Sequence, residues 1–304
     1  MPRLKIGTRG SPLALCQARE TRDRLMAAHG MAEVDIEIVT ITTTGDRIRD
    51  RPLAEVGGKG LFTKEIEEAL LAGAIDLAVH SMKDLPARLP DGLLISSVLP
   101  REDARDAFLS PVAKAIANLP KGATVGSSSV RRTAQLLRLR PDIVTVQFRG
   151  NVETRLRKLA DGVAHATFLA AAGLNRLGFQ DRITALVPVE TMLPAVAQGA
   201  IGLEIRERDE KTRALLAAID HGETATAVAC ERAFLAALDG SCQTPLAGHA
   251  TLAGDTLHFR GHALTLDGIH CFETTRQGAP ADAARMGQEA GEEVRRMGGA
   301  LIAT

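Results

Sequence analysis

The chain has 304 residues, 45% hydrophobic and 24% charged, enough for two or three domains whose cores hold without cross-links. Its 37 basic and 37 acidic side chains cancel, which removes a global field for nucleic acid or an anionic membrane, and no apolar run approaches the ~18 residues of a membrane span. Aromatic residues are 3%, with no Trp and no Tyr, so the cores rest on Leu, Ile, Val and Ala and there is little on which a nucleic-acid base could stack.

The first residues read as a strand over 3–8, not as a basic stretch ahead of a signal-peptide core, so a cytoplasmic location is expected. Ser11 followed by Pro12 gives an N-cap with proline at the first helical position, opening a helix that runs to about His29. Hydrophobic periodicity then predicts a strand over 34–41, an amphipathic helix over 61–73 stopped by Gly73, and strands over 75–80 and 93–98, a parallel α/β pattern. Residues 42–60 are polar, charged and rich in glycine, and are expected to form a long loop, of the kind that serves as a lid or is disordered. A second α/β unit follows, with strands over 107–109, 124–126, 143–146 and 166–171. Its helices are expected over 130–140, stopped by Pro141, and over 151–160. Residues 192–205 read as an extended connector leading into a strand that returns to the first domain. Two such lobes joined by extended crossovers leave a cleft between them. The rhythm changes near 218: a helix over 223–238, strands over 246–252, 257–263 and 269–275, and a helix over 282–297 make a small α+β domain. The expected division is 1–98 with 194–217 as the first α/β domain, 99–193 as the second, and 218–304 as the third.

Three segments carry candidate chemistry. In Gly126-Ser127-Ser128-Ser129-Val130-Arg131-Arg132 a strand ends in glycine, three hydroxyls follow, and a helix begins. Free N–H groups at a helix N-terminus bind anions, and two arginines in the first turn, disfavoured by the dipole, suit a bound anion. The same residues serve equally as a plain serine cap with solvated arginines. Around them, from Arg131 to Lys158, stand eight basic and two acidic residues. Of the 37 basic residues 29 are arginine, whose fork pairs with carboxylates in a way lysine cannot. The second segment is His80-Ser81-Met82-Lys83-Asp84-Leu85-Pro86, after a buried strand, where open α/β sheets place ligands. Read alone, it is as well a charged surface turn ending at Pro86. The third is Asp239-Gly240-Ser241-Cys242-Gln243-Thr244-Pro245, which puts a thiol in a tight polar loop where covalent use is plausible. The other cysteines, Cys16 and Cys230 in apolar helical stretches and Cys271 in a strand, read as small buried hydrophobes. No CxxC or histidine pair has metal-ligand spacing, so no metal is expected.

Six segments taken in order resemble the porphobilinogen deaminase (hydroxymethylbilane synthase) family. They are Thr8-Arg9-Gly10-Ser11-Pro12-Leu13-Ala14, Gly57-Gly58-Lys59-Gly60-Leu61-Phe62, His80 to Asp84, Gly126 to Arg132, Arg149-Gly150-Asn151-Val152-Glu153-Thr154-Arg155, and Gly240 to Pro245. Ser127 stands where the family often has threonine, and Ser241 and Ala197 where glycine is common. The resemblance implies two lobes like those of periplasmic binding proteins, with the active site between them, and a third domain carrying a cofactor cysteine. The cofactor is dipyrromethane, two linked pyrroles joined through a thioether to Cys242. On it four porphobilinogen molecules are deaminated and joined head to tail, and the linear hydroxymethylbilane is released for heme biosynthesis. The resemblance implies Asp84 as the catalytic acid. It implies Lys59, Ser81, Lys83, Ser129, Arg131, Arg132 and Gly150 at the cofactor, and Arg9, Ser11, Phe62, Ser128, Arg149 and Arg155 at the substrate. It further implies a monomer that passes product transiently to the next enzyme, with no nucleic-acid or membrane partner. A non-catalytic two-lobed anion-binding protein is the competing reading. It accounts for the serines and arginines, calls for a secretory signal, and leaves Cys242 unexplained.

Overall fold

The computed structural model describes residues 4–47, 62–240 and 244–302. They form two compact units, 1–102 with 200–225 and 103–199 with 226–304.

In the first unit β1 (Leu4–Arg9) feeds α1 (Pro12–His29), capped by Ser11, whose hydroxyl accepts from the Ala14 N–H. Then come β2 (Ile36–Ile41), one helical turn α2 (Thr44–Arg47), α3 (Lys64–Leu71), β3 (Leu77–Ser81) and β4 (Leu93–Val98). The expected loop over 42–60 thus opens with a helical turn, and its residues 48–60 lie outside the described ones.

The second unit begins with β5 (Asp106–Leu109), β6 (Thr124–Gly126), α4 (Val130–Leu139), β7 (Val144–Val146), α5 (Val152–Ala160) and β8 (Ala166–Ala170), followed by α6 (Ala171–Arg176) and the short β9 (Ala185–Leu186). Its sheet has the order β7-β6-β8-β5-β9, parallel from β7 to β8 and antiparallel at β5. Phe108 and Phe168 pack 5.6 Å apart, centroid to centroid, in its core with Val125 and Leu136.

Next in the chain is β10 (Ile201–Arg206), which joins the first sheet as foreseen for the returning connector. That sheet is β2-β1-β3-β10-β4. It is parallel through β2, β1 and β3, but β10 runs antiparallel to both β3 and β4, so the expected all-parallel pattern is corrected to a mixed sheet. Every residue of β10 up to Ile205 is buried, as a central strand covered on both faces requires. The helix α7 (Glu210–Ala217), capped by Asp209, adds an element to those the sequence pattern predicts. Last come α8 (Gly222–Ala237), the meander β11 (Leu246–Ala253), β12 (Thr256–Leu264) and β13 (Cys271–Gly278), and α9 (Ala283–Gly298), whose apolar face covers that sheet. The expected architecture of two α/β sheets with helices and a small C-terminal α+β part is therefore the one found. No described helix is long and apolar enough to cross a membrane.

Candidate active site

Arg9 ends β1. Its guanidinium lies 4.1 Å from the centre of the Phe62 ring and pairs with Asp46 through Nε (3.3 Å) and Nη2 (2.5 Å). Burial pushes the Asp46 carboxyl up, but Arg9 and Thr43 outweigh it and hold the group below its ordinary value. The structure thus brings together two of the residues assigned to substrate, with an acid that sequence reasoning did not single out. Ser11 spends an acceptor on its helix cap and keeps its O–H.

β3 delivers the second constellation. Ser81 ends the strand with its hydroxyl bonded to the Gln17 amide (2.8 Å), and Met82, Lys83 and Asp84 form one 3-10 turn. Met82 is the anchor, fully buried, while Lys83 and Asp84 are exposed. The space for Met82 comes from Gly202 of β10, where an added Cβ would stand 2.0 Å from the Met82 sulfur. Behind the turn His80 Nε2 meets Glu204 at 2.9 Å, both buried, and Glu67 of α3 is buried nearby. Burial raises the Glu67 pKa; Thr63 opposes this and the Glu204 charge adds to it.

In the second unit the helix cap appears as read from sequence. Ser129 Oγ accepts from the Arg132 N–H, Ser127 Oγ from the Ser129 N–H (3.1 Å), and exposed Ser128 from the Phe148 N–H (3.0 Å). The arginines are not solvated. Arg131 and Arg132 are 5% and 6% exposed and both pair with Asp106, which is fully buried, at 2.8 and 2.6 Å. Arg131 also donates to the Leu193 carbonyl, and Arg132 to that of Phe168. Burial pushes Asp106 up, but the two guanidiniums outweigh it and hold the carboxyl well below its usual range. One carboxylate for two guanidiniums leaves a buried excess of one positive charge. Gly150, at φ +120°, has no room for a Cβ, which would lie 2.6 Å from Thr154, and its carbonyl accepts from Arg155 Nε. Lys158 donates to the Arg149 carbonyl (3.0 Å), and Asn151 caps α5.

Lys59 and Cys242 lie outside the described residues. Among the other cysteines Cys230 is buried, with its thiol pushed up to about 12 by burial and the neighbouring Glu231, which suits an inert core residue. Cys16 and Cys271 are only half-buried, a correction to the buried reading: Cys16 is not among the buried residues of α1, and β13 is an edge strand.

The chain is an α/β protein whose first unit carries an exposed acid and an ammonium on a braced turn and whose second unit carries two guanidiniums against one carboxylate, groups whose chemistry suits acidic organic ligands. Family models described as "Porphobilinogen deaminase, dipyromethane cofactor binding domain" and "Porphobilinogen deaminase, C-terminal domain" match residues 4–214 and 225–296. The chain is 61% identical over 292 residues to the porphobilinogen deaminase of Paracoccus denitrificans, covering 96% of this chain and 93% of that one. It is 58% identical over 294 residues to that of Nitrobacter hamburgensis, covering 97% and 93%. Among solved structures it is similar to the Bordetella pertussis BvgS VFT2 domain at 17% identity and a TM-score of 0.42, covering 72% of this chain and 85% of that one. The chain belongs to the porphobilinogen deaminase family, a family of enzymes.

Proposed function

We propose that this chain deaminates porphobilinogen and joins four molecules head to tail on a dipyrromethane held by Cys242, releasing hydroxymethylbilane for heme biosynthesis. The observation that carries the reading is Asp84, an exposed carboxylate on a turn fixed by buried Met82 and by the Ser81–Gln17 bond. The donor set fits an acidic cofactor, since Arg131 and Arg132 keep one positive charge beyond Asp106 beside a helix N-terminus. When bound, the dipyrromethane supplies the electron-rich pyrrole carbon to which substrate is joined.

Asp84 in its acid form protonates the departing amine, and as carboxylate it orients pyrrole N–H groups and stabilises positive charge on the substrate. Lys83, Ser81, Ser129, Arg131, Arg132, Gly150 and Lys59 hold the cofactor. Arg9, Arg149 and Arg155, with Ser11, Ser128 and Phe62, take the acetate and propionate groups of arriving rings. The guanidinium fork makes lysine a poor replacement at these arginines.

The domain division proposed is 1–98 with 194–217, 99–193 and 218–304; what supports it is that each of the three sheets falls within one of these segments. We also propose a cytoplasmic monomer that hands its product to the next enzyme. Asp84→Asn keeps the shape and removes the ionisable group. In Asp84→Asn protein loaded with cofactor, the rate of porphobilinogen consumption is expected to fall at least ~10²-fold. Near-normal turnover would show that the carboxylate is not required.

A further inference from the structure

Spacing along the chain reveals no metal ligands, but strand register brings together residues that spacing does not. In the antiparallel β12–β13 pair, His262 stands directly opposite Glu273, and Cys271 is two residues along the same face. One His262 ring nitrogen, the Cys271 sulfur and a Glu273 carboxylate oxygen all lie within 4.8 Å of one another. His262 is 5% exposed, yet neither ring nitrogen has a hydrogen-bond partner among the described residues. A buried imidazole with both nitrogens unpaired is costly and calls for a ligand.

We propose that His262, Cys271 and Glu273 bind one borderline-soft divalent cation of the Zn2+ type, with water in a fourth position on the exposed Glu273 side. Binding breaks the Cys271 S–H bond, releases that proton to solvent, and forms metal–sulfur, metal–nitrogen and metal–oxygen bonds. The ligand atoms draw in by about an ångström, to the edge of a tetrahedron with bonds of ~2.0–2.3 Å.

The surroundings set the selectivity. Arg260 holds both Glu273 oxygens (3.0 and 3.1 Å), and Arg131 and Arg138 act on His262 through their charge. These cations oppose any metal that offers only electrostatic attraction. A thiolate and an imidazole nitrogen compensate for a soft or borderline ion and do little for Mg2+ or Ca2+. The site lies against α4, whose Arg138 donates to the Ile269 carbonyl just ahead of β13, so a bound metal would clamp the edge of the C-terminal sheet.

The test uses chelator-treated holoenzyme titrated with Co2+. One equivalent is expected to give a thiolate-to-cobalt band in the near-ultraviolet difference spectrum, reversed by Zn2+ and untouched by Mg2+. Cys271→Ser is expected to abolish the band while porphobilinogen turnover stays normal. His262→Gln is expected to weaken Co2+ binding by more than ~10-fold, the least that loss of even an outer partner costs. Independently of any variant, equimolar Zn2+ is expected to slow alkylation of Cys271 in the wild-type protein, read by peptide mapping. No charge-transfer band, a band of full strength in Cys271→Ser, or an alkylation rate of Cys271 indifferent to Zn2+ would each overturn the site.

Discussion

At the scale of single residues, Asp106 and Gly202 place the proposed chemistry without taking part in it. Asp106 stands in a run of charges, Arg101 to Asp106, that reads as solvated surface. Only the pairing of β5 with β8 and the packing of α4 put its carboxylate inside, against Arg131 and Arg132. Replacing it by asparagine strands two buried cations. Asp106→Asn is expected to lose ~3–5 kcal/mol of unfolding free energy in urea at neutral pH. The folded pKa lies below the ordinary 3.8, so the stabilisation is complete above that value and is lost only as pH falls through the depressed one. The gap between mutant and wild type is therefore expected to persist at pH 5, and a gap already closed there would argue against the ion pair. Gly202 is a steric requirement. Gly202→Ala drives a methyl against the Met82 sulfur and is expected to cost ~1–3 kcal/mol by overpacking. Because Met82 carries the turn with Lys83 and Asp84, kcat is expected to fall as well. Adding Met82→Ala frees the volume and is expected to recover part of the rate; a double mutant no better than the sum of the two singles would separate the packing from the catalysis.

At the scale of elements, local signals were legible where they act locally. Ser11-Pro12 and the period of the following residues mark α1, and Ser129 marks the start of α4, because a cap needs only its own turn; Asn151, expected inside its helix, is instead the cap of α5. Asp209 carries the same signal for α7, an element absent from the expected ones, and its side chain caps the Thr212 N–H. The direction of β10 and the partners of Arg9, Arg131 and His80 were not legible, since each depends on residues brought together by the sheets from distant parts of the chain. α3 shows what such a meeting costs. It presses Glu67 toward the His80–Glu204 pair, and burial together with the Glu204 charge lifts the Glu67 pKa above 4.5. A raised carboxyl contributes most below its unfolded pKa, and that contribution is lost as pH rises through the folded one. Glu67→Gln mimics the protonated form. It is expected to be more stable than wild type at pH 8, with the advantage shrinking toward pH 4; an offset constant across that range would mean that Glu67 does not titrate in this window.

At the scale of the whole molecule, the proposed anchor Cys242 is set apart from three cysteines that lie in regular elements. Cys230 is sealed in the core, Cys16 sits within α1, and Cys271 lies in β13. Intact mass is expected to exceed that of the bare chain by the dipyrromethane in wild-type, Cys16→Ala and Cys230→Ala proteins, and to equal the bare chain in Cys242→Ser. An adduct mapped to any other cysteine would refute the assignment. The position of β10 also bears on how the molecule is made. It sits between β3 and β4, with Leu203 opposite Val79 and Ser97. A nascent chain that has emerged past Val98 therefore carries two strands with no partner between them until about a hundred further residues have been translated. At ~5–20 residues per second that interval is roughly 5–20 s, during which two buried-type strand edges are open to other chains. The sheet of β5 to β9 is complete before the first sheet can close, so the ribosome delivers the molecule from its middle outward, and the N-terminal strands are where a chaperone has most to protect.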